Sequence, residues 1–328
     1  MKKLFIVLAA ACSVYFSGPA PLHAAQSRNG GRFVFSVVSD IHCDSFNKEA
    51  QDKFSRAISD AESAGARAMF VAGDSSDGQD NDYKTVRALV SASPLAGAVR
   101  FSMGNHEYYR AFHDATGAWN SDTFPNGHTD AEAKRAFNSF RGAAPGAPVY
   151  YDEWMGGYHF IFLAGEDSRM TDASYRDDAF LSPEQLAWLK RQIDASAPGE
   201  PVFVMLHQPF AGTVAGSADG EISIRPAAEL KAILASRPGV IVFSGHSHYT
   251  LSLPDTYYAD ASYGFHMFNC SSVWQPWADG KALPGDRSEG FIVSVEKGTV
   301  TIQGRDFAGS RFMDGQTYVI KTGTHKAD

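Results

Sequence analysis

Five short segments of this chain end in side chains able to ligate a metal, and each follows a stretch that reads as a buried strand. They are Asp40-Ile41-His42, Gly73-Asp74, Gly104-Asn105-His106-Glu107, His207 and Gly245-His246-Ser247-His248. A residue just past the end of a strand lies at one edge of its sheet, so successive strands of this kind deliver their ligands to one shared place. The set mixes Asp and Asn oxygens with imidazoles and has no thiolate, a donor choice that suits divalent manganese, iron or zinc. Gly73, Gly104 and Gly245 each precede a ligand, where a tight turn or a close approach to metal tolerates little side chain.

The intervening sequence alternates strand and helix patterns. Arg32 to Ser39 is β-rich and nearly continuous in apolar residues, as a strand covered on both faces would be. Asn47 to Ala64 carries helical spacing through Phe54, Ala57, Ile58 and Ala61 and stops at Gly65; Ala66 to Ala72 then reads as a second buried strand. Thr85 to Ser91 predicts a helix, and Ala98 to Met103 a strand. Tyr158 to Ala164, Pro201 to Leu206 and Val240 to Phe243 are further strands, and Ser182-Pro183 opens a helix with Ser at the cap and Pro at the first position. Phe291 to Val295 and Thr299 to Arg305 form a hairpin pattern around Glu296-Lys297-Gly298. Alternating strands and helices imply an α/β fold.

The N-terminus has a different character. Met1-Lys2-Lys3, the apolar run Leu4 to Phe16 and the small residues ending at Ala24-Ala25 fit a secretory signal peptide, so residues 1–25 are expected to be removed and Gln26 to begin the mature chain. The apolar run falls short of the ~20 residues a spanning helix needs. A lipoprotein signal at Cys12 matches less well, because Ala9-Ala10-Ala11 is a weak version of its box. No other segment is long and apolar enough to span a bilayer, and the expectation is a secreted or periplasmic protein. That setting permits disulfides; Cys43 and Cys270 would be the two remaining cysteines, and pairing or two buried thiols are both open. Removing Lys2 and Lys3 takes the formal charge from -8 to -10, which argues against holding a nucleic-acid polymer by bulk electrostatics.

The ordered motifs Asp-x-His, Gly-Asp, Gly-Asn-His-Glu, a lone His and Gly-His-x-His, spanning Asp40 to His248, resemble the signature of the calcineurin-like metallophosphoesterase superfamily. The resemblance implies a four-layer α-β-β-α sandwich of two mixed sheets flanked by helices. It implies that Asp40, His42, Asp74 and His248 hold one divalent ion and that Asp74, Asn105, His207 and His246 hold a second, with Asp74 bridging. It implies a small phosphoester substrate, attacked in line by a hydroxide shared between the ions with no covalent intermediate. His106, adjacent to a ligand but not one itself, would protonate the leaving group. Gly73-Asp74-Ser75-Ser76-Asp77 resembles the Gly-Asp-x-x-Asp of the protein phosphatase branch, so Asp77 would orient His106; the alternative for Asp77 is a loop-capping carboxylate. Residue 78 is Gly where that branch has arginine, which argues against protein phosphatase activity.

The gap from Asn105 to His207 is 102 residues against 34, 31 and 39 for the others, so residues 26–328 read as a single domain with an insertion at about 108–157. The insertion is rich in aromatic residues, including Tyr108, Tyr109, Phe112, Trp119, Phe124, Tyr150 and Tyr151, with one helix near Ala131 to Phe140. It is a candidate substrate cap, with packing onto the body as the alternative. Asn105, Tyr108, Tyr109 and Trp274 are candidate substrate contacts. His159 and His266 read as strand residues, and His113 and His128 as solvent-facing loop positions. Monoester dianions call for extra cations, and Arg110, Arg169 and Arg176 are the few available near the motifs, so the reading leans to a phosphodiesterase over a phosphomonoesterase. A secreted metal-binding protein without turnover is the alternative of another class.

Overall fold

The computed structural model describes residues 32–218, 224–259 and 264–322. The expected signal peptide lies outside the described residues. Twelve strands build two main sheets: β1 (Phe33–Val38), β2 (Met69–Val71), β3 (Val99–Phe101), β4 (Tyr151–Met155), β5 (Tyr158–Phe162), β6 (Val202–Met205), β7 (Val240–Ser244), β8 (Tyr257–Ala259), β9 (His266–Asn269), β10 (Glu289–Glu296), β11 (Thr299–Asp306) and β12 (Arg311–Lys321). The first sheet runs β12-β11-β10-β1-β2-β3 and the second β8-β9-β7-β6-β5-β4. Within them β1, β2 and β3 are parallel, as are β5, β6, β7 and β9, while β10 joins β1 antiparallel.

Apolar alternation along β1 explains the stacking of the layers. Phe33, Phe35 and Val37 enter a core shared by both sheets, where Phe35 lies 5.1 Å from Phe160 and 4.9 Å from Phe203 between ring centroids. Val34 and Val38 point the other way, into a core with α1 (Lys48–Ser63), α2 (Asp80–Ser91) and α3 (Asp130–Phe140). A third core lies between the outer face of the second sheet and α4 (Pro183–Ala195) and α5 (Ala227–Leu234). The result is the four-layer α-β-β-α sandwich implied by the resemblance. Helix starts follow the local chemistry: the Asn47 side chain accepts from Ala50 N at the head of α1, and Ser182 accepts from Gln185 N with Pro183 at the first position of α4. No helix among the described residues is long and apolar enough to cross a membrane.

Several expectations need correction. The helix expected at Thr85 begins at Asp80, because Asp80 and Asp82 suit the positive end of the helix dipole but carry no apolar period. Of the two readings left open for the cysteines, two buried thiols is the one found: Cys43 packs into the helix-side core and Cys270 into the inter-sheet core, so they face opposite sides of the first sheet. Between the two readings left open for residues 108–157, packing onto the body accounts for much of the segment. The 3-10 helix His106–Phe112 continues from the Asn105 motif, α3 packs Ala133, Phe137 and Phe140 into the body, and β4 is an edge of the second sheet. Tyr151 stacks on Phe162 at 4.5 Å with its hydroxyl on Phe101 O, which makes it a packing residue.

Candidate metal centre

Parallel strands of both sheets end at the same edge, and the motif residues converge there. Asp40, His42 and His248 have ligand atoms within 4.8 Å of one another, and so do Asp74, His207 and His246. Asp74 also groups with His42 and His106, so it stands between the two clusters as a bridging carboxylate would. Asn105 Oδ1 lies 2.8 Å from His246 Nδ1 and joins the second cluster.

The backbone is bent to achieve this. Asp40, His42, Asp74, His246 and His248 all have φ between 41° and 68°, a region that non-glycine residues enter at a cost of about 1–3 kcal/mol each. Five of the seven candidate ligands therefore sit in strained backbone that the surrounding turns must hold in place. Gly73 has φ +95°, and a Cβ there would fall 2.5 Å from His207 Nδ1. A Cβ on Gly245 would fall 1.8 Å from Ser39 Oγ and 2.2 Å from Asp40 Oδ2, and one on Gly104 2.2 Å from Asp74 Oδ1. These glycines are where the ligand loops touch.

The donor atoms fit divalent cations. His248 Nδ1 donates to Gln275 O at 3.1 Å, and its Nε2 lies 3.1 Å from both His42 Nε2 and Asp40 Oδ1. His207 Nδ1 donates to Ala72 O at 2.8 Å, and its buried Nε2 has no hydrogen-bond partner although Asp74 Oδ2 is 3.0 Å away. Lone pairs and carboxylate oxygens packed this closely need positive charge between them. The protein's own charges say the same: burial opposes ionisation of His207, but Asp74 and Asp40 outweigh it and lift the imidazole to about 10. Burial and neighbouring histidines lower His42 to about 3 and His246 to about 4, so both are neutral, the ligating form.

His106 stands at the rim. Its Nδ1 donates to Asp77 Oδ1 at 2.7 Å, and its Nε2 lies 3.9 Å from Asp74 Oδ2. Burial disfavours its charge, yet Asp74 and the hydrogen-bonded Asp77 raise it to about 9, which favours imidazolium. Tyr109 lies tilted against His106 with ring centroids 3.9 Å apart, accepts from Asn105 Nδ2 at 3.3 Å and donates to Asp177 Oδ1 at 2.9 Å. That chain consumes the amide N–H of Asn105 and turns its Oδ1 to the second cluster. Trp274 lies 5.1 Å from the His42 ring on the other flank. Tyr108 is different: it is buried in the helix-side core with its hydroxyl on Gly165 O at 2.9 Å, and so is a packing residue.

His159 and His266 are strand residues as expected, bonded to Asp152 and Tyr257 respectively. His113 is not a solvent-facing position: it is 4% exposed, with Nε2 3.0 Å from Asp77 Oδ2. Glu107, which ends the Gly-Asn-His-Glu motif, stands outside the two ligand clusters. It is fully buried and accepts from Gly104 N at 2.6 Å, Ser75 N at 2.7 Å and Asp74 N at 3.3 Å, tying the second and third ligand loops together. Its place in Gly-Asn-His-Glu was the available signal.

The sequence model of the calcineurin-like phosphoesterase family matches residues 33–250. The chain belongs to that family. No curated protein matches this calcineurin-like phosphoesterase by sequence. Among solved structures, a dimetal phosphatase from Danio rerio is similar at TM-score 0.62 and 15% identity, covering 89% of this chain and 99% of that one. The purple acid phosphatase PPD1 of yellow lupin has TM-score 0.57 and 12% identity over 89% of this chain and 54% of its own. GAP50, the anchor in the inner membrane complex of Plasmodium, has TM-score 0.50 and 12% identity over 90% of both chains. At these identities the likeness shows the fold, which phosphatases and an anchor protein share, so activity must be argued from this chain's residues.

Proposed function

We propose that this calcineurin-like phosphoesterase hydrolyses small phosphodiesters, with His106 as general acid oriented by Asp77. The observation that carries the reading is the His106 to Asp77 bond of 2.7 Å at the rim of a double ligand cluster, with the free edge of His106 toward Asp74. Asp40, His42, Asp74 and His248 would hold one divalent ion, and Asp74, Asn105, His207 and His246 the other. When bound, the two ions supply Lewis acidity toward the phosphoryl oxygens and toward the attacking water. The chain's own residues do the rest. Asp77 fixes the His106 tautomer so that Nε2–H faces the departing ester oxygen, and transfer of that proton releases a neutral alcohol. Tyr109 and Trp274 wall the two flanks, where the ester's substituents would lie.

The charge balance supports a diester. Arg110 is paired to Asp80 at 3.0 Å and Arg169 to Asp177 at 2.5 Å, so two of the candidate cations are already neutralised. A diester brings one negative charge to the ions and so asks less of the rim's cations than a monoester dianion does. The test is the ratio of kcat/KM for bis-p-nitrophenyl phosphate to that for p-nitrophenyl phosphate, using manganese-reloaded protein from Gln26 onward. A ratio well above one supports the diesterase, and a ratio well below one makes the protein a phosphomonoesterase. A protein that loads two ions and turns over neither ester would be a metal-binding protein of this fold. We also propose export: residues 1–25 direct secretion, and N-terminal sequencing of the protein recovered outside the cytoplasm should begin at Gln26.

A further inference from the structure

Asp77 has a partner that the proposed reaction leaves unused. One carboxylate oxygen accepts from His106 Nδ1 at 2.7 Å, and the other accepts from His113 Nε2 at 3.0 Å. The main chain of Asp77 is held separately, its N–H donating to Asp44 Oδ1 at 2.9 Å. The rotation of the carboxylate about its last side-chain torsion, which has broad intrinsic freedom, is thus set by the two imidazoles.

His113 is itself held on all sides. It closes the 3-10 helix His106–Phe112, its N–H donating to Arg110 O at 3.0 Å, and it forms an antiparallel bridge with Trp119, whose ring is 5.5 Å away and nearly perpendicular. The loop between them is braced by Asp114, which accepts from Thr116 N at 2.8 Å and Ala118 N at 3.3 Å. It presents Gly117 O 3.1 Å from His113 Nδ1, and Gln79 Nε2 lies 3.4 Å from the same nitrogen. A short loop whose bonds converge on one buried imidazole, aimed at one carboxylate oxygen, is more support than a capping carboxylate needs.

We infer that His113 is a positioning residue: it holds Asp77 Oδ2 so that Oδ1 stays on His106 Nδ1 and His106 keeps its Nε2 toward the ligand clusters. The inference rests on His106 acting as the acid, and the chain His113 to Asp77 to His106 deepens that reading. Partners one step behind a reacting group typically change activity by about 10–100-fold when removed. Loss of His113 should therefore act through the leaving group, because proton delivery is what the chain orients.

The test uses the whole mature protein as wild type, His113→Ala, His113→Gln and His106→Ala. The Gln amide nitrogen reaches the place of Nε2 and can donate to Asp77, whereas Ala cannot. In zinc-loaded, histidine-labelled protein, the low-field proton of His106 Nδ1–H, assigned by its loss in His106→Ala, should be present in wild type and His113→Gln and lost or moved upfield in His113→Ala. With phenyl methyl phosphate His113→Ala should lower kcat about tenfold, with p-nitrophenyl methyl phosphate it should change little, and KM and metal content should hold. His113→Gln should recover most of the loss. An unchanged His106 proton in His113→Ala, equal losses on both esters, or no recovery in His113→Gln would overturn the inference. If His106→Ala slows both esters equally, the acid assignment fails instead, and the His106 proton signal still decides whether His113 sets Asp77.

Discussion

The contact between the first and last ligand loops gives a quantitative test of the site. Gly245 has an ordinary backbone conformation, so alanine is sterically rather than conformationally excluded, and its Cβ would lie 1.8 Å from Ser39 Oγ, 2.5 Å from Ser39 Cβ and 2.2 Å from Asp40 Oδ2. An acceptable carbon–oxygen contact is about 3.3 Å, so the Asp40 carboxylate and the Gly245 backbone must part by about 1 Å. Neither is free to do so cheaply. Gly245 N donates to His207 O at 2.9 Å, and Asp40 Oδ2 accepts from His246 N at 3.0 Å. Overpacking of this kind costs about 1–3 kcal/mol of stability, and a displacement of about 1 Å at a reacting centre about 100-fold in rate. Gly245→Ala should therefore remain folded by circular dichroism, lose about 100-fold in kcat/KM and bind fewer than two manganese ions per chain by elemental analysis. Two tightly held ions with wild-type kcat/KM would refute the claim that this close approach sets the ligand geometry.

Three further outcomes follow from named contacts. His106→Ala should retain both metals and slow phenyl esters far more than p-nitrophenyl esters, since the nitrophenolate leaves without a proton; equal slowing would remove His106 as the acid. Glu107→Gln places an amide N–H against at least one of the backbone donors Gly104 N, Ser75 N and Asp74 N, and should cost about 1–3 kcal/mol in urea unfolding together with weakened metal retention. If stability and metal content both match wild type, Glu107 does not tie the loops. Chelation should lower the midpoint of thermal unfolding, and manganese at 100 times its dissociation constant should restore about 2.7 kcal/mol per independent site; a midpoint indifferent to metal would contradict the cation cage.

The fold was legible where burial imposes a pattern. β1, β2 and β5 to β7 announce themselves because both faces are covered and the sequence is nearly continuous in apolar residues, and glycine-led motifs follow several of them. β12 did not, because most of its residues are exposed and neither face of this edge strand carries an apolar period. α5 is eight residues long and follows a segment with little pattern, too short for helical spacing to register. The aromatic residues after Asn105 carried two meanings that composition cannot separate: Tyr108 and Tyr151 are core, while Tyr109 lies beside His106.

The site was legible for a different reason, and the difference explains what was missed. Candidate ligands announce themselves because metal chemistry restricts residue type and the strand ends restrict place, so the groups that the structure brings together between Asp40 and His248 can be read in order. Groups that act through another group carry neither restriction. Glu107 works by accepting three backbone N–H bonds, and His113 by bonding the far oxygen of Asp77 from beyond a helix turn. The residue type is set by the hydrogen bonds it must make and not by a metal, and the loop that brings it there leaves no period in the sequence. Yet both hold parts of the candidate site in place, Glu107 the loop that carries Asp74 and His113 the carboxylate on which the proposed acid depends. A chain of this family that kept all seven candidate ligands and lost either group would still look complete in sequence while holding its site in the wrong geometry.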